Sequence, residues 1–237
     1  MTTSLKTRTA RLSVISNSLL IAMKLVAGII SGSVSIISEA IHSSLDLVAA
    51  IIAFFAVKIS GTPADDRHPF GHGKVENVSG VIEAMLIFAA SAWIVYEAID
   101  RFIHPGETEA LGIGVVVMAV SAVINTLVSR RLYKVARQTD SVALEADALH
   151  LKTDVITSAG VALGLALIWL TGWHVLDPVI ALAVAVIIIY ESWMLLRKAF
   201  FPLLDTALSA DEMKKLTGIL EEMQVNYHDL KTDRKST

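Results

Sequence analysis

Residues 39–57 have the sequence EAIHSSLDLVAAIIAFFAV, an apolar run that begins with two polar residues four positions apart, His42 and Asp46. Residues 147–167, DALHLKTDVITSAGVALGLAL, repeat the arrangement with His150 and Asp154. Apolar runs of about 20 residues are long enough to cross a bilayer, and an ionisable side chain inside one is costly and by default functional. The two segments therefore predict membrane helices that carry a polar site.

The composition is that of an integral membrane protein. Of 237 residues, 54% are hydrophobic and only 18% are charged, and the mean hydropathy is +0.62, whereas soluble domains carry more charge. The chain has no Cys, which excludes disulfides and thiolate metal ligands. The net charge of -3 indicates no particular partner, and we expect no nucleic-acid partner. The first apolar run lacks a convincing signal-peptide cleavage site, so we expect it to remain as a helix.

Six apolar stretches approach the spanning length of about 20 residues. They cover residues 12–30, 34–57, 78–99, 111–128, 149–170 and 178–196. Turn-forming residues such as Pro105, Gly106 and Gly172 separate the later pairs. The sequence therefore predicts an all-α membrane protein, with a six-helix transmembrane domain and a short cytoplasmic N-terminus over residues 1–208.

Basic residues are concentrated in alternate loops, which predicts the orientation of the bundle. They lie before helix 1, between helices 2 and 3, between helices 4 and 5, and after helix 6: Lys6, Arg8, Arg11, Lys58, Arg67, Lys74, Arg130, Arg131, Lys134, Arg137, Arg197 and Lys198. The opposite loops offer Arg101 and little else. Because positively charged loops stay inside, we expect a multi-pass protein of a bacterial inner membrane with both termini in the cytoplasm.

The last segment, residues 209–237, has a different character. Residues 209–224, SADEMKKLTGILEEMQ, predict an amphipathic helix that follows the N-cap candidate Ser209. Residues 225–232, VNYHDLKT, are typical of the start of a strand. A helix and one strand cannot bury a core of their own, so we interpret this segment as the beginning of an incomplete cytoplasmic domain or as one that needs a partner.

The two His–Asp pairs are candidate metal ligands. Four-residue spacing places His42 with Asp46, and His150 with Asp154, on one helical face, although each Asp at a helix centre costs roughly 2.5–3.5 kcal/mol. Two helices that each offer one imidazole and one carboxylate can form the four-ligand shell that Zn²⁺ prefers. Intrahelical hydrogen bonds are the alternative, but the recurrence favours a metal site. Glu39 either accepts a proton there or marks the polar end of its helix.

A second cluster lies in the loop ADDRHPFGHGK, residues 64–74. Asp65, His68 and His72 occur there within a short, Gly-containing segment. In isolation this pattern is compatible with a solvated polar loop. Beside an intramembrane metal site, it is better interpreted as a cytoplasmic site for metal binding or handoff.

Further ionisable residues fall within the apolar stretches, among them Lys24 and Glu83. Lys24 lies in the first stretch and Glu83 in the third. A lysine there either snorkels towards the interface or faces the interior of the bundle, and the sequence assigns no role to Glu83.

The motifs resemble those of the cation diffusion facilitator family over about residues 12–208. The resemblance rests on H-x3-D in two helices and on PADDRHPFGHGKVE, residues 63–76, between helices 2 and 3. It implies a proton-coupled exporter of divalent transition metals with six transmembrane helices, a cytoplasmic ferredoxin-like α+β domain and a homodimeric assembly. Under this resemblance, residues 209–237 would supply only the start of that α+β domain, and we expect most of it to be missing.

The resemblance also implies roles for individual residues. The implied transport site is His42, Asp46, His150 and Asp154, and the implied loop site is Asp65, His68 and His72. Lys74 and Asp205 match charges that interlock the transmembrane and cytoplasmic parts, Leu149 matches a hydrophobic gate residue, and His228 matches a ligand of a cytoplasmic zinc site. The partners that His228 needs would lie in the missing part of the domain.

The sequence thus predicts an alternating-access antiporter and no enzyme. Zn²⁺ is the expected substrate, with Cd²⁺, Co²⁺ or Fe²⁺ also compatible with the ligand set, and no organic cofactor is expected. A proton on His42 or His150 would compete with the metal, because only a neutral His can ligate. A metal-sensing or scaffolding subunit that binds metal without transport is the alternative. An intramembrane metalloenzyme is disfavoured because no HExxH motif is present.

Overall fold

Six long helices dominate the structure of this chain. The computed structural model describes residues 2–31, 34–103, 113–171, 176–204, 206–208, 210–225, 227–228 and 230–232. Its helices are α1 (Thr2–Ser31), α2 (Val34–Ser60), α3 (Val75–Ile103), α4 (Ile113–Thr139), α5 (Val142–Thr171), α6 (Leu176–Phe200) and α7 (Ala210–Glu222), with a 3-10 turn at Phe201–Leu204. The described part of the chain is therefore all-α.

The six long helices extend beyond the apolar stretches that predict them. α1 begins at Thr2 instead of residue 12, and α4 continues to Thr139 instead of ending at residue 128. Apolarity marks only the part of a helix that suits hydrocarbon, and polar residues such as Lys, Arg and Gln continue the helix readily in water. Within the described residues, three segments are long and apolar enough to cross a membrane: Thr3–Ile30, Val75–Asp100 and Pro178–Leu204.

Two buried apolar clusters hold the bundle together, and α5 belongs to both. One cluster joins α1, α2, α4 and α5 through residues that include Val57, Leu132 and Leu144. The other joins α3, α5 and α6 through residues that include Ile87 and Leu149. α5 therefore lies between two packed groups of helices.

Close approach of α3 to its neighbours depends on Gly80. A Cβ atom at this position would lie 2.7 Å from Val142 Cγ1 on α5 and 3.1 Å from Ala199 Cβ on α6. Small residues allow membrane helices to approach this closely.

Glu76, at the start of α3, connects four helices at the end of the bundle where α5 begins. Its side chain is almost fully buried, and Oε1 accepts hydrogen bonds from Lys6 Nζ on α1 at 2.8 Å and from Ser60 Oγ on α2 at 2.7 Å. The Ser141 hydroxyl donates to Oε2. Ser141 precedes α5, and its Oγ accepts a hydrogen bond from the Leu144 N–H at 3.4 Å, so the same residue caps the helix.

The predicted strand at residues 225–232 is absent from the described part of that segment, which has no regular secondary structure. A single strand needs a neighbour to satisfy its backbone groups, and none is available there. The predicted amphipathic helix is confirmed as α7, which carries Asp211 and Glu212 in its first turn. The N-cap candidate Ser209 lies outside the described residues.

Replacing Glu76 with Ala should destabilise the helix bundle strongly. The change leaves a cationic amine and two hydroxyls without their shared acceptor, and breaking a buried ion pair costs about 3–5 kcal/mol. Thermal unfolding of the purified chain in detergent, followed by size-exclusion chromatography, measures the effect.

Glu145→Ala is the matched control for that measurement. Glu145 pairs with Lys198 at 2.5 Å, but both side chains are partly exposed, and such pairs contribute only about 0–1 kcal/mol. Equal melting temperatures for the two variants would contradict the role assigned to Glu76.

Candidate metal-binding site

Three of the four predicted ligands converge between α2 and α5. His150 Nε2 lies 2.9 Å from Asp46 Oδ1, and Asp154 follows one helical turn later on α5. Asp46, His150 and Asp154 each offer a ligand atom within 4.8 Å of the others. One imidazole nitrogen and two carboxylate oxygens at this spacing can bind a divalent transition metal.

The group is buried, so its charges have to be compensated inside the protein. Asp46 is 6% and His150 9% exposed. An ionised carboxylate at this depth is stable only with a cation or strong hydrogen bonds beside it, and otherwise the group binds a proton and becomes neutral. α5 is held against α4 near the site by the Ser129 hydroxyl, which donates to the Ala148 carbonyl at 2.7 Å.

The fourth predicted ligand, His42, lies on α2 one helical turn before Asp46. Its side chain lies outside the described residues, as does the side chain of Glu39. Their contribution to the site therefore stays a prediction. Asp205, the predicted partner of Lys74, also lies outside the described residues.

The remaining predicted positions have distinct environments. Leu149 is 5% exposed and belongs to the apolar cluster of α3, α5 and α6, immediately before His150. Lys74 lies in the turn that leads into α3, where its carbonyl accepts the N–H groups of Asn77 and Val78. His228 is exposed in the C-terminal segment, and no metal-ligating group among the described residues includes it.

The loop residues form a second potential ligand group. Asp65, His68 and His72 also bring ligand atoms within 4.8 Å of one another. Asp65 Oδ1 lies 3.1 Å from His68 Nδ1, Oδ2 lies 3.5 Å from His72 Nε2, and the two imidazole rings are 4.3 Å apart. Gly71 permits this turn, because its φ of 77° is in the left-handed region that glycine adopts without strain.

Hydrogen bonds from two backbone N–H groups also fix the position of the Asp65 side chain. Its Oδ1 accepts the N–H of His68 at 2.6 Å and the N–H of Arg67 at 2.9 Å. The His68 N–H stabilises the charged form and lowers the pKa of Asp65 below its ordinary value of 3.8. The loop therefore presents an ionised carboxylate between two imidazoles.

Two lysines on the long helices have partners in other helices that the sequence does not identify. Lys24 faces the interior, where its Nζ donates to Ser43 Oγ on α2 at 2.6 Å, one helical turn before Asp46. Lys152 on α5 pairs with both carboxylate oxygens of Glu191 on α6, at 2.5 and 2.6 Å. The available signal was the presence of an ionisable residue in an apolar stretch, which indicates an interior partner but does not identify it.

Comparison with known proteins identifies a matching family model and several relatives. Residues 10–204 match the family model of the cation efflux transmembrane domain. The chain is 38% identical over 213 residues to an uncharacterised transporter of Synechocystis sp., covering 89% of this chain and 69% of the relative. It is 34% identical over 217 residues to the cation-efflux pump FieF of Escherichia fergusonii, with 91% and 72% coverage, and 33% identical to FieF of Shigella flexneri, with the same coverage.

The turn at Asp65 should resist acid. Because the pKa of Asp65 is lowered, the carboxylate keeps its charge and its backbone hydrogen bonds as the pH falls to 3.8, and loses them only below that value. The amide proton shifts of Arg67 and His68 in an NMR pH titration report this directly. Asp65→Ala should abolish the transition, and a midpoint at or above pH 3.8 in the wild type would contradict the assignment.

Proposed function

The chain belongs to the cation diffusion facilitator family of membrane cation-efflux transporters, which are not enzymes, and we propose that it exports Zn²⁺ in exchange for protons. The observation that carries the proposal is the buried convergence of Asp46, His150 and Asp154 from two helices. The FieF relatives are named cation-efflux pumps, which supports the same direction of transport.

The donor set favours Zn²⁺ as the substrate. With His42 as fourth ligand, two imidazoles and two carboxylates would form a tetrahedral shell, the geometry that Zn²⁺ adopts most often. Two carboxylates neutralise a divalent ion inside the protein. Cd²⁺, Co²⁺ and Fe²⁺ accept the same donor types and are the expected competitors.

The 2.9 Å contact between His150 and Asp46 supplies a basis for proton coupling. A protonated imidazole donates to the carboxylate in that position, whereas a bound metal requires the neutral imidazole. Proton and metal therefore exclude each other at His150. A proton that enters from outside would release the metal there, and loss of that proton would restore the site for the next ion.

Transport further requires that the site open to one side at a time. An apolar cluster that contains Val57, Leu132 and Leu144 lies between the metal site and one end of the bundle. Glu76 lies at that end. We propose that this end is cytoplasmic, that all six long helices span the membrane, and that both termini are cytoplasmic. Leu149 would act as a gate, because it is buried immediately beside His150.

Other residues would deliver the metal to the site and assemble the protein. Asp65, His68 and His72 would capture metal at the cytoplasmic surface, since they form an exposed ligand group. Lys74 and Asp205 would interlock the transmembrane and cytoplasmic parts of a homodimer. His228 would contribute to a cytoplasmic zinc site only if ligands beyond those described here complete it.

Removing a ligand should abolish transport. His150→Ala and Asp154→Ala each leave the buried group short of a donor, so zinc-driven proton flux in proteoliposomes should fall to the level of empty vesicles. The matched control is Glu145→Ala, which removes a partly exposed acid of α5 and should keep the wild-type rate. Unchanged flux in the ligand variants would refute the site, and zinc binding without flux in the wild type would identify a sensor or scaffold.

Replacing His42 with Asp should broaden metal selectivity towards Cd²⁺. A carboxylate can bind through one or two oxygens and adapts to a larger ion, whereas an imidazole offers one nitrogen at a fixed position. The measurement is competition between Zn²⁺ and Cd²⁺ in the flux assay. The same Zn²⁺ to Cd²⁺ ratio in variant and wild type would count against His42 as a ligand.

A further inference from the structure

A second buried acidic group lies one helical turn from the metal ligands and has no role in the proposed metal site. Glu83 on α3 and Asp147 on α5 are both 0% exposed. All four of their carboxylate oxygens are buried without a hydrogen-bond partner among the described residues. Their neighbours Ala84 and Ala146 belong to the apolar cluster of α3, α5 and α6, so the surroundings provide little compensation.

The two carboxylates interact across the interface between α3 and α5. The charge of Asp147 acts on the Glu83 carboxyl group. The charges of Asp46 and His150 in turn act on Asp147. Ser13 of α1 also faces Asp147. The Ser13 hydroxyl is fully buried, and it is the neutral group that can donate a hydrogen bond to Asp147.

On α4 and α6, two polar side chains pack against the apolar cluster of α3, α5 and α6. On α4, Tyr133 packs against the same apolar cluster. On α6, the Ser192 hydroxyl is occupied, because it donates to the Ala84 carbonyl at 2.8 Å. No charged group of α4 or α6 is among those that act most strongly on Glu83 or Asp147.

Two ionised carboxylates in this position would lose their hydration and repel each other. One bound proton removes a charge and creates an O–H donor for a neighbouring acceptor. Paired carboxylates that share a proton for this reason are well known in proteins. The group is therefore suited to hold a proton when it is sealed from water.

We propose that Glu83, beside Asp147, binds a transported proton at a site separate from the metal ligands. The inference rests on the proposed antiport. When α3 and α5 are packed as described, the Glu83 carboxyl keeps its O–H bond. When the interface opens to cytoplasmic water, that bond breaks, the proton passes to a water molecule, and a carboxylate remains until it is protonated again from the outside.

Zinc accumulation in proteoliposomes under a pH gradient of one unit tests the proposal. Each proton exchanged per ion changes the steady-state accumulation ratio about tenfold per pH unit. Glu83→Gln mimics the protonated acid permanently, so it should lower this ratio about tenfold while zinc affinity at the metal site stays at the wild-type value. Glu145→Gln, which removes a partly exposed acid paired with Lys198, should keep the wild-type ratio.

Different results would refute the antiport and the proton site. Wild-type accumulation that ignores the pH gradient would refute the antiport itself. Gradient-driven accumulation that is equal in the wild type and Glu83→Gln would refute only the proton site. Loss of one bound zinc per chain in Glu83→Gln with an unchanged pH response would assign a metal to the pair and would also overturn the proton site.

Infrared spectroscopy gives a second test that does not depend on transport. The full chain in detergent at neutral pH should show the carbonyl band of a protonated carboxylic acid, and Glu83→Gln should remove it whereas Glu145→Gln should not. If Glu83→Gln does not fold, Asp147→Asn is measured in its place and should shift the band, because it changes the neighbour of the bound proton. Absence of the band in the wild type would overturn the proposal.

Discussion

Charged and polar groups inside this helix bundle have to be compensated by other parts of the protein, because neither hydrocarbon nor a packed core supplies water or counter-ions. Many hydroxyl groups bond to carbonyls of their own helix, as Ser91 does to Ile87, whereas the charged groups named next are compensated between helices. Asp46 lies against His150 across α2 and α5, and Lys24 donates to Ser43 across α1 and α2. Glu76 accepts hydrogen bonds from α1, α2 and Ser141 before α5. These contacts link α1 to α2, α2 to α5, and α3 to α1 and α2.

The position of α5 links the candidate site to the packing of the whole bundle. It contributes Leu144 to one apolar cluster and Leu149 to the other, and it carries His150 and Asp154 between them. Packed cores change between discrete arrangements and do not deform continuously. A movement that exposes the site to one side therefore has to repack at least one of the two clusters, which suits a transporter whose two access states differ in helix packing.

The sequence anticipated the helices better than their limits or contacts. Spanning-length apolar stretches predicted six helices, and the structure contains six long ones that extend into polar sequence at one or both ends. The strand at residues 225–232 was wrong for the described positions, since a strand depends on a partner and the described residues contain no other strand. The four-residue spacing places His150 and Asp154 on one helical face, but His150 Nε2 also lies 2.9 Å from Asp46 Oδ1 on another helix. Spacing along one helix carries no information about that contact.

What the sequence determined by itself is local: the apolar segments that form helices, the ligand types on each helical face, and the family, whose motifs lie within short stretches. Such features depend on the backbone period and on residue identity alone. Only the tertiary structure decided which face of each helix meets which neighbour, because a helix can rotate about its axis at little local cost until side chains interlock with those of other helices. That choice brought Asp46 to His150 and Glu83 to Asp147, and it gave Glu76, an ordinary acid at a helix start, its contacts with α1, α2 and the N-cap of α5.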